Sequence, residues 1–222
     1  MSRIVVKLGG RVAADSTGYV LERRAAGDEV VVVHGAGPQI TEELERLGQP
    51  IRFVGGRRYT DSQGLAVVRA SLVAVGSGLV RLLGEDAIQF VGDEIGLEAE
   101  PVPALGLVGE PIAARPPAIE SALASGRIPV VTPVAVGPLN VNADEAASAL
   151  AIGLGADRIV FVSDVPGVLV EGTVARRLHA DAASALLDGG ELEGGIVPKL
   201  LAAVRAARLG VRAEIGVTEV LA

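Results

Sequence analysis

Four runs of mainly branched aliphatic residues constrain this chain more than any other feature: 3–8 (RIVVKL), 29–33 (EVVVV), 128–134 (IPVVTPV) and 158–163 (RIVFVS). They are too continuously apolar for strands that show one face to water, which is the pattern of buried parallel strands covered by helices on both faces. The core has to be aliphatic, because 50% of the residues are hydrophobic while the aromatics are Tyr19, Phe53, Tyr59, Phe90 and Phe161 alone. Helix-period segments at 18–26, 38–47, 117–124, 143–154, 180–187 and 200–209, and a longer one from Thr60 or Asp61 to about Leu83, alternate with these runs and with strands at 51–54, 87–91, 211–215 and 217–221. The stretch 95–112, rich in Pro, Gly and Glu, reads as short antiparallel ribbons or loop. The alternation implies an α/β fold. At 222 residues it forms one large domain or two lobes sharing a sheet.

Open α/β sheets bind ligands beyond the carboxyl ends of their strands, and those ends are where the unusual residues lie. Residues 140–147, NVNADEAA, read as a strand end passing into a helix, with Asn140 and Asn142 at alternate positions and Asp144 in the first helical turn. A cap needs one such residue, and three amide or carboxylate groups in five positions exceed that need. Lys7 stands before Gly9-Gly10, which suits either a strand-end lysine reaching solvent or an ammonium facing a ligand. The loop His34-Gly35-Ala36-Gly37-Pro38-Gln39 presents backbone N–H groups to an anion, and His34 fits a structural or a catalytic role equally. Arg57 and Arg58 precede the long helix, as an exposed pair or as a carboxylate grip. Asp164-Val165-Pro166-Gly167-Val168 is another polar turn at a strand end. Gly194-Gly195 leads into a helix with Lys199 in its first turn, where a cation opposes the helix dipole and a bound phosphate would favour it.

Composition narrows the classes. Of 20 basic residues all but Lys7 and Lys199 are arginine, which suggests two places where a compact ammonium works and a planar guanidinium does not. A net charge of -7 and few aromatics argue against a nucleic-acid groove. Residues 65–83 are broken by Arg69 and Arg81 and by small residues near their middle, so no bilayer span is expected. Without Cys there is neither a disulfide framework nor a thiolate metal site, and with no signal peptide expected before the first strand the cytoplasm is the default.

Taken in order, VVKLGG, VVVHGAGPQI, RYTD, IPVVTPVAVGPLNVNADEAA, GADRIVFVSDVPGV, GGIVPK and VTEVLA resemble the amino-acid kinase superfamily, and within it the acetylglutamate kinases. The resemblance implies an open, mainly parallel sheet sandwiched between helices, the carbamate kinase-like fold. It implies a lobe at 1–155 for an acyl amino acid and one at 156–222 for ATP, over one continuous sheet. The implied activity is phosphorylation of the side-chain carboxylate of N-acetyl-L-glutamate, a step of arginine biosynthesis, with Mg²⁺ bound through the nucleotide. Lys7 and Lys199 match the lysines that stabilise the phosphoryl group in flight, and Asp144 the carboxylate that positions them. Arg58, rather than Arg57, matches the α-carboxylate grip, with Asn140 alongside and Ala36, Gly37 and Asn142 completing the substrate side. Gly10 and Gly37 match the glycines whose N–H groups face the transferred phosphate, and Gly9, Gly10, Ser163, Asp164, Gly167, Val168, Leu169, Gly194 and Gly195 the nucleotide site. The rival readings are a kinase acting on a carrier-linked aminoadipate or glutamate, which a basic rim near Arg57 and Arg58 would favour, and a catalytically silent binding homologue.

The chain departs from the family at several points. Ala36 stands where the family usually has the middle glycine of three, the hairpins at 136–139 and 169–174 are short, and the usual helix between Gly216 and Val217 is absent. No extra helix precedes Ile4, so the expectation is a homodimer without arginine control, paired through the long helix and its small residues Ala70, Ala74, Gly76 and Ser77.

Overall fold

A computed structural model describes residues 1–9, 16–162, 164–190 and 192–222. The chain runs β1 (Arg3–Leu8), α1 (Thr17–Ala25), β2 (Glu29–His34), α2 (Gly37–Arg46), β3 (Phe53–Val54), β4 (Arg57–Arg58), α3 (Ser62–Leu83) and β5 (Ala87–Val91). It continues with β6 (Ala99–Pro101), β7 (Val108–Pro111), α4 (Pro117–Ala124), β8 (Ile128–Thr132), β9 (Val134–Ala135), β10 (Leu139–Val141), α5 (Ala143–Gly153) and β11 (Arg158–Val162). The last elements are β12 (Leu169–Val170), β13 (Thr173–Val174), β14 (Arg177–His179), α6 (Ala180–Asp188), α7 (Ile196–Arg208), β15 (Arg212–Ile215) and β16 (Thr218–Leu221).

Eight strands form one sheet in the order β14-β16-β15-β11-β1-β2-β8-β5. Its pairs are parallel except β15 with β16, so β16 and β14 run against the rest. The chain builds outward from β1 through β2 to β8 and β5, then returns to β1's other side with β11. The crevice at the carboxyl ends of β1, β2 and β11 is therefore the topological switch point where such sheets bind ligands. Alternation along β1 divides the core. Ile4, Val6 and Leu8 pack with Val20 of α1 and Leu79 and Leu83 of α3, whereas Val5 packs with Leu150 of α5 and Leu200 of α7.

The runs at 3–8 and 29–33, the long helix and its Asp61 cap, whose side chain accepts from Gly64 N–H at 2.7 Å, stand where the sequence puts them, and the third and fourth runs form β8 and β11. By length and composition α3 is apolar enough to cross a membrane, yet Leu65, Val68, Leu72, Leu79 and Leu83 are buried and the helix lies against β5 and β8. Gly76 is a correction to the proposed pairing stripe, because it faces inward: an added Cβ would stand 2.4 Å from Gln89 Nε2 and 2.8 Å from His34 Nε2. The approach to α5 also differs from expectation. The main-sheet strand ends at Thr132, and the strand that enters α5 is β10, in a separate four-stranded sheet of order β6-β7-β10-β9. Pro133 has no N–H to continue a ladder, and Gly137, at φ 118°, turns β9 back onto β10. Helix α7 starts at Ile196 rather than 200, because Pro198 falls in its first turn, where the missing N–H is not needed.

Candidate active site

Lys7 is set by the strand. It shares Val5's face of β1 and so points at α5 and α7 rather than at solvent, with Nζ 2.8 Å from Asp144 Oδ1. Asp144 is the second residue of α5. Asn142 caps that helix, its Oδ1 accepting from the N–H groups of Asp144 (2.8 Å) and Glu145 (3.2 Å), so the carboxylate sits at the positive end of the dipole. Helix α5 is largely alanine, which lets α7 come close enough for Ser148 Oγ to donate to the Ala202 carbonyl at 2.9 Å. That approach brings Lys199 Nζ to 3.9 Å from Asp144 Oδ2 and 3.1 Å from the Gly195 carbonyl. Two lysines 192 positions apart in sequence thus share one buried carboxylate, and the three groups together carry one net positive charge. An anion is what such a group lacks.

Arg58 is buried on the other side of the same cavity. Its Nη2 donates to Thr41 Oγ1 at 2.7 Å and to the Gly37 carbonyl at 3.4 Å, and its Cζ lies 4.6 Å from the centre of the Phe53 ring. Nη1 is buried with no hydrogen-bond partner among the described residues, and burial pulls the guanidinium's pKa down. A ligand carboxylate reaching this group would remove that cost. Arg57, the preceding residue of β4, also touches the cavity wall, but its guanidinium is engaged by carboxylates: its Nε donates to Glu145 Oε1 at 2.8 Å, and its Nη2 lies 3.4 Å from Glu110 Oε2. Burial raises the pKa of Glu145, with Arg57 pulling the other way.

One cavity of about 1340 Å³ joins these groups. Lys7, Gly9, Ala36, Gly37, Arg58, Asn140, Asn142, Asp144, Asp164, Gly167, Leu169, Gly195 and Lys199 line it. Gly10 and Ser163 lie outside the described residues. Val168 and Gly194 are not in its wall. Val168 is wholly buried, its N–H donating to Thr218 Oγ1 at 2.8 Å, so it anchors the 164–169 turn from beneath. Gly194, at φ 69°, makes the bend ahead of α7. Asn142 reaches the cavity, but its oxygen is committed to capping, and Asn140 Nδ2 donates to Thr60 Oγ1 at 3.0 Å. Ala36 has φ −143°, which needs no glycine, and its methyl packs with Ile40, Leu72 and Val134. His34 is buried and not in the cavity wall, with Nε2 3.4 Å from Thr132 Oγ1, and burial, with Lys7 nearby, lowers its pKa to about 4. Sequence reasoning missed Thr41, Phe53 and Glu145; only Thr41 left a trace, one helical turn after Gly37 on the face that Arg58 meets.

The model of the amino acid kinase family matches residues 2–216. This chain belongs to the amino acid kinase family. Acetylglutamate kinase of Roseiflexus castenholzii (strain DSM 13941 / HLO8) is 42% identical over 95% of this chain and 87% of its own length. The acetylglutamate kinase of Roseiflexus sp. (strain RS-1) is 41% identical over 95% and 86%. The crystal structure of smu.665 from Streptococcus mutans UA159 superposes with a TM-score of 0.89 at 27% identity, covering 99% of this chain and 98% of that one.

For this family member the cavity chemistry gives a measurable proton equilibrium. Burial lowers the Lys199 pKa from the usual 10.5, opposed by Asp144 and reinforced by Lys7. In protein labelled with ¹³C-lysine, two side-chain Cε resonances are expected, told apart by Lys7→Arg. The Lys199 resonance should titrate below the ordinary lysine range and move upward when a nucleotide is added, because phosphate favours the charged form. Titration at the ordinary value, unmoved by nucleotide, would contradict this electrostatic picture.

Proposed function

We propose that this protein is an ATP-dependent kinase that phosphorylates the side-chain carboxylate of N-acetyl-L-glutamate, giving N-acetyl-L-glutamyl 5-phosphate for arginine biosynthesis in the cytoplasm. The observation that carries this reading is the convergence of Lys7 and Lys199 on Asp144 in one cavity with the partly unsatisfied guanidinium of Arg58. The attacking carboxylate is already ionised near neutral pH, so the site needs charge neutralisation and alignment rather than a strong base. Lys7 and Lys199 neutralise the phosphoryl oxygens, and Asp144 fixes both ammonium groups. The N-termini of α2 and α7, at Gly37 and Ile196, add backbone donors. Arg58 and Asn140 hold the α-carboxylate end, with Ala36 and Gly37 shaping that side and Gly9 facing the phosphates. ATP with Mg²⁺ on its phosphates supplies the phosphoryl group. Among the described residues no group of three or more His, Asp or Glu side chains is arranged to hold a metal ion, so the nucleotide's own oxygens would bind it. The acyl side falls within residues 1–155, and the nucleotide side, with Asp164, Gly167, Leu169, Gly195 and Lys199, within 156–222.

A carrier-linked acyl substrate fits less well. Arg57 is engaged by Glu145 and Glu110, and Glu42, Glu45, Glu171 and Glu193 stand around the cavity, so among the described residues an acidic protein meets no free basic rim. The test is ADP release with acetylglutamate, glutamate, aspartate, carbamate and UMP as acceptors. Turnover with acetylglutamate alone is expected; none with any acceptor would favour a silent homologue, and preference for another would replace the substrate.

The outer face of α3 supports a homodimer. Ala66, Ala70 and Ala74 are exposed at successive helical turns, small enough for two such helices to approach across a two-fold axis. Light scattering should give a dimer and Ala74→Arg a monomer; a monomeric parent protein at all concentrations would end this proposal.

A further inference from the structure

Three contacts hold the Arg58 guanidinium, and they restrain different motions. The ring of Phe53, 4.6 Å from Cζ, limits tilt but leaves the planar group able to turn within its own plane. Among the described residues, rotation in that plane is stopped at an edge, by the 2.7 Å bond from Nη2 to Thr41 Oγ1 and the longer 3.4 Å contact to the Gly37 carbonyl. Nη2 is thereby committed to α2, and Nη1 is the terminal nitrogen left without a partner among the described residues. We propose that Thr41 is a positioning residue for recognition of the acyl substrate: its hydroxyl fixes the rotation of the Arg58 guanidinium and so decides which edge meets the substrate carboxylate. The inference rests on the reading of Arg58 as the carboxylate grip. Val is close in shape to Thr but offers no oxygen, whereas Ser keeps one.

Thr41→Val is expected to raise the acetylglutamate KM about tenfold, with kcat and the ATP KM within about twofold, and Thr41→Ser to restore the parent KM. In the Arg58→Ala background Thr41→Val should add nothing further, because Thr41 acts through Arg58. If Arg58→Ala weakens acetylglutamate binding but Thr41→Val does not, the inference is overturned and the proposed function stands. If the parent protein neither binds nor phosphorylates acetylglutamate, the proposed function has failed. The crystal structure of Thr41→Val then decides separately: a displaced guanidinium supports the positioning role, and one still seated over the Gly37 carbonyl refutes it.

Discussion

Lys7→Arg and Lys199→Arg are each expected to lower kcat by at least ~10²-fold, by analogy with removal of one donor from an oxyanion hole, while circular dichroism and the melting temperature stay close to those of the parent protein. The argument is geometric. Lys7 has a side chain only 6% exposed and places a single ammonium 2.8 Å from Asp144 Oδ1 at the end of a central strand. A guanidinium keeps the charge but spreads it over a planar fork with five donors, so it cannot sit at the same point and aim at both the carboxylate and a phosphoryl oxygen. Lys199 faces the same demand from the other side, between Asp144 Oδ2 and the Gly195 carbonyl. Each variant preserves net charge, so a loss of turnover would report placement rather than charge. Near-normal kcat in either one would remove that lysine from the phosphoryl-transfer step.

The neighbouring arginines should separate cleanly. Arg58→Ala is expected to raise the acetylglutamate KM by about 10–10²-fold, the range for losing a charge-assisted contact, with little change in the ATP KM. Its stability should hardly suffer, because among the described residues the removed cation is buried without a carboxylate partner. Arg57→Ala should do the reverse. The acetylglutamate KM should change by less than about threefold, while stability falls by roughly 1–2 kcal/mol as Glu145 is left mostly buried without its partner. That loss should shrink as pH falls and Glu145 takes up a proton, since burial already raises its pKa. Steady-state kinetics and thermal melts at two pH values measure both halves. Equal KM effects for the two variants would show that the carboxylate grip is not Arg58 alone.

The reach of the sequence follows from which interactions are local. RIVVKL and EVVVV declare themselves as buried strands because continuous aliphatic runs of that length have few other homes in an α/β chain. Asp61 and Asn142 are legible as caps because the bond they make spans two or three residues. The pairs β3 with β4 and β12 with β13 involve two residues a side and carry no period, so their partners follow from the surrounding fold. Arg57 with Glu145 joins residues 88 apart, and nothing near either one announces the other. Gly76 shows a further limit: a small residue on an apolar helix suits both a subunit interface and a tight internal contact. Here the amide of Gln89 and the ring of His34 take up the space.

The confinement of lysine to the cavity has a consequence for chemical self-damage. The proposed product is a mixed anhydride, and mixed anhydrides acylate neutral amines. A protein releasing such a compound ordinarily exposes many lysine side chains to it, whereas this one covers its surface with guanidinium groups that stay protonated and inert at physiological pH. Its two side-chain amines are both withdrawn into the cavity, each beside the Asp144 carboxylate and away from the protein's outer surface. The same arrangement that would speed formation of the reactive anhydride also leaves little on the outside for it to modify.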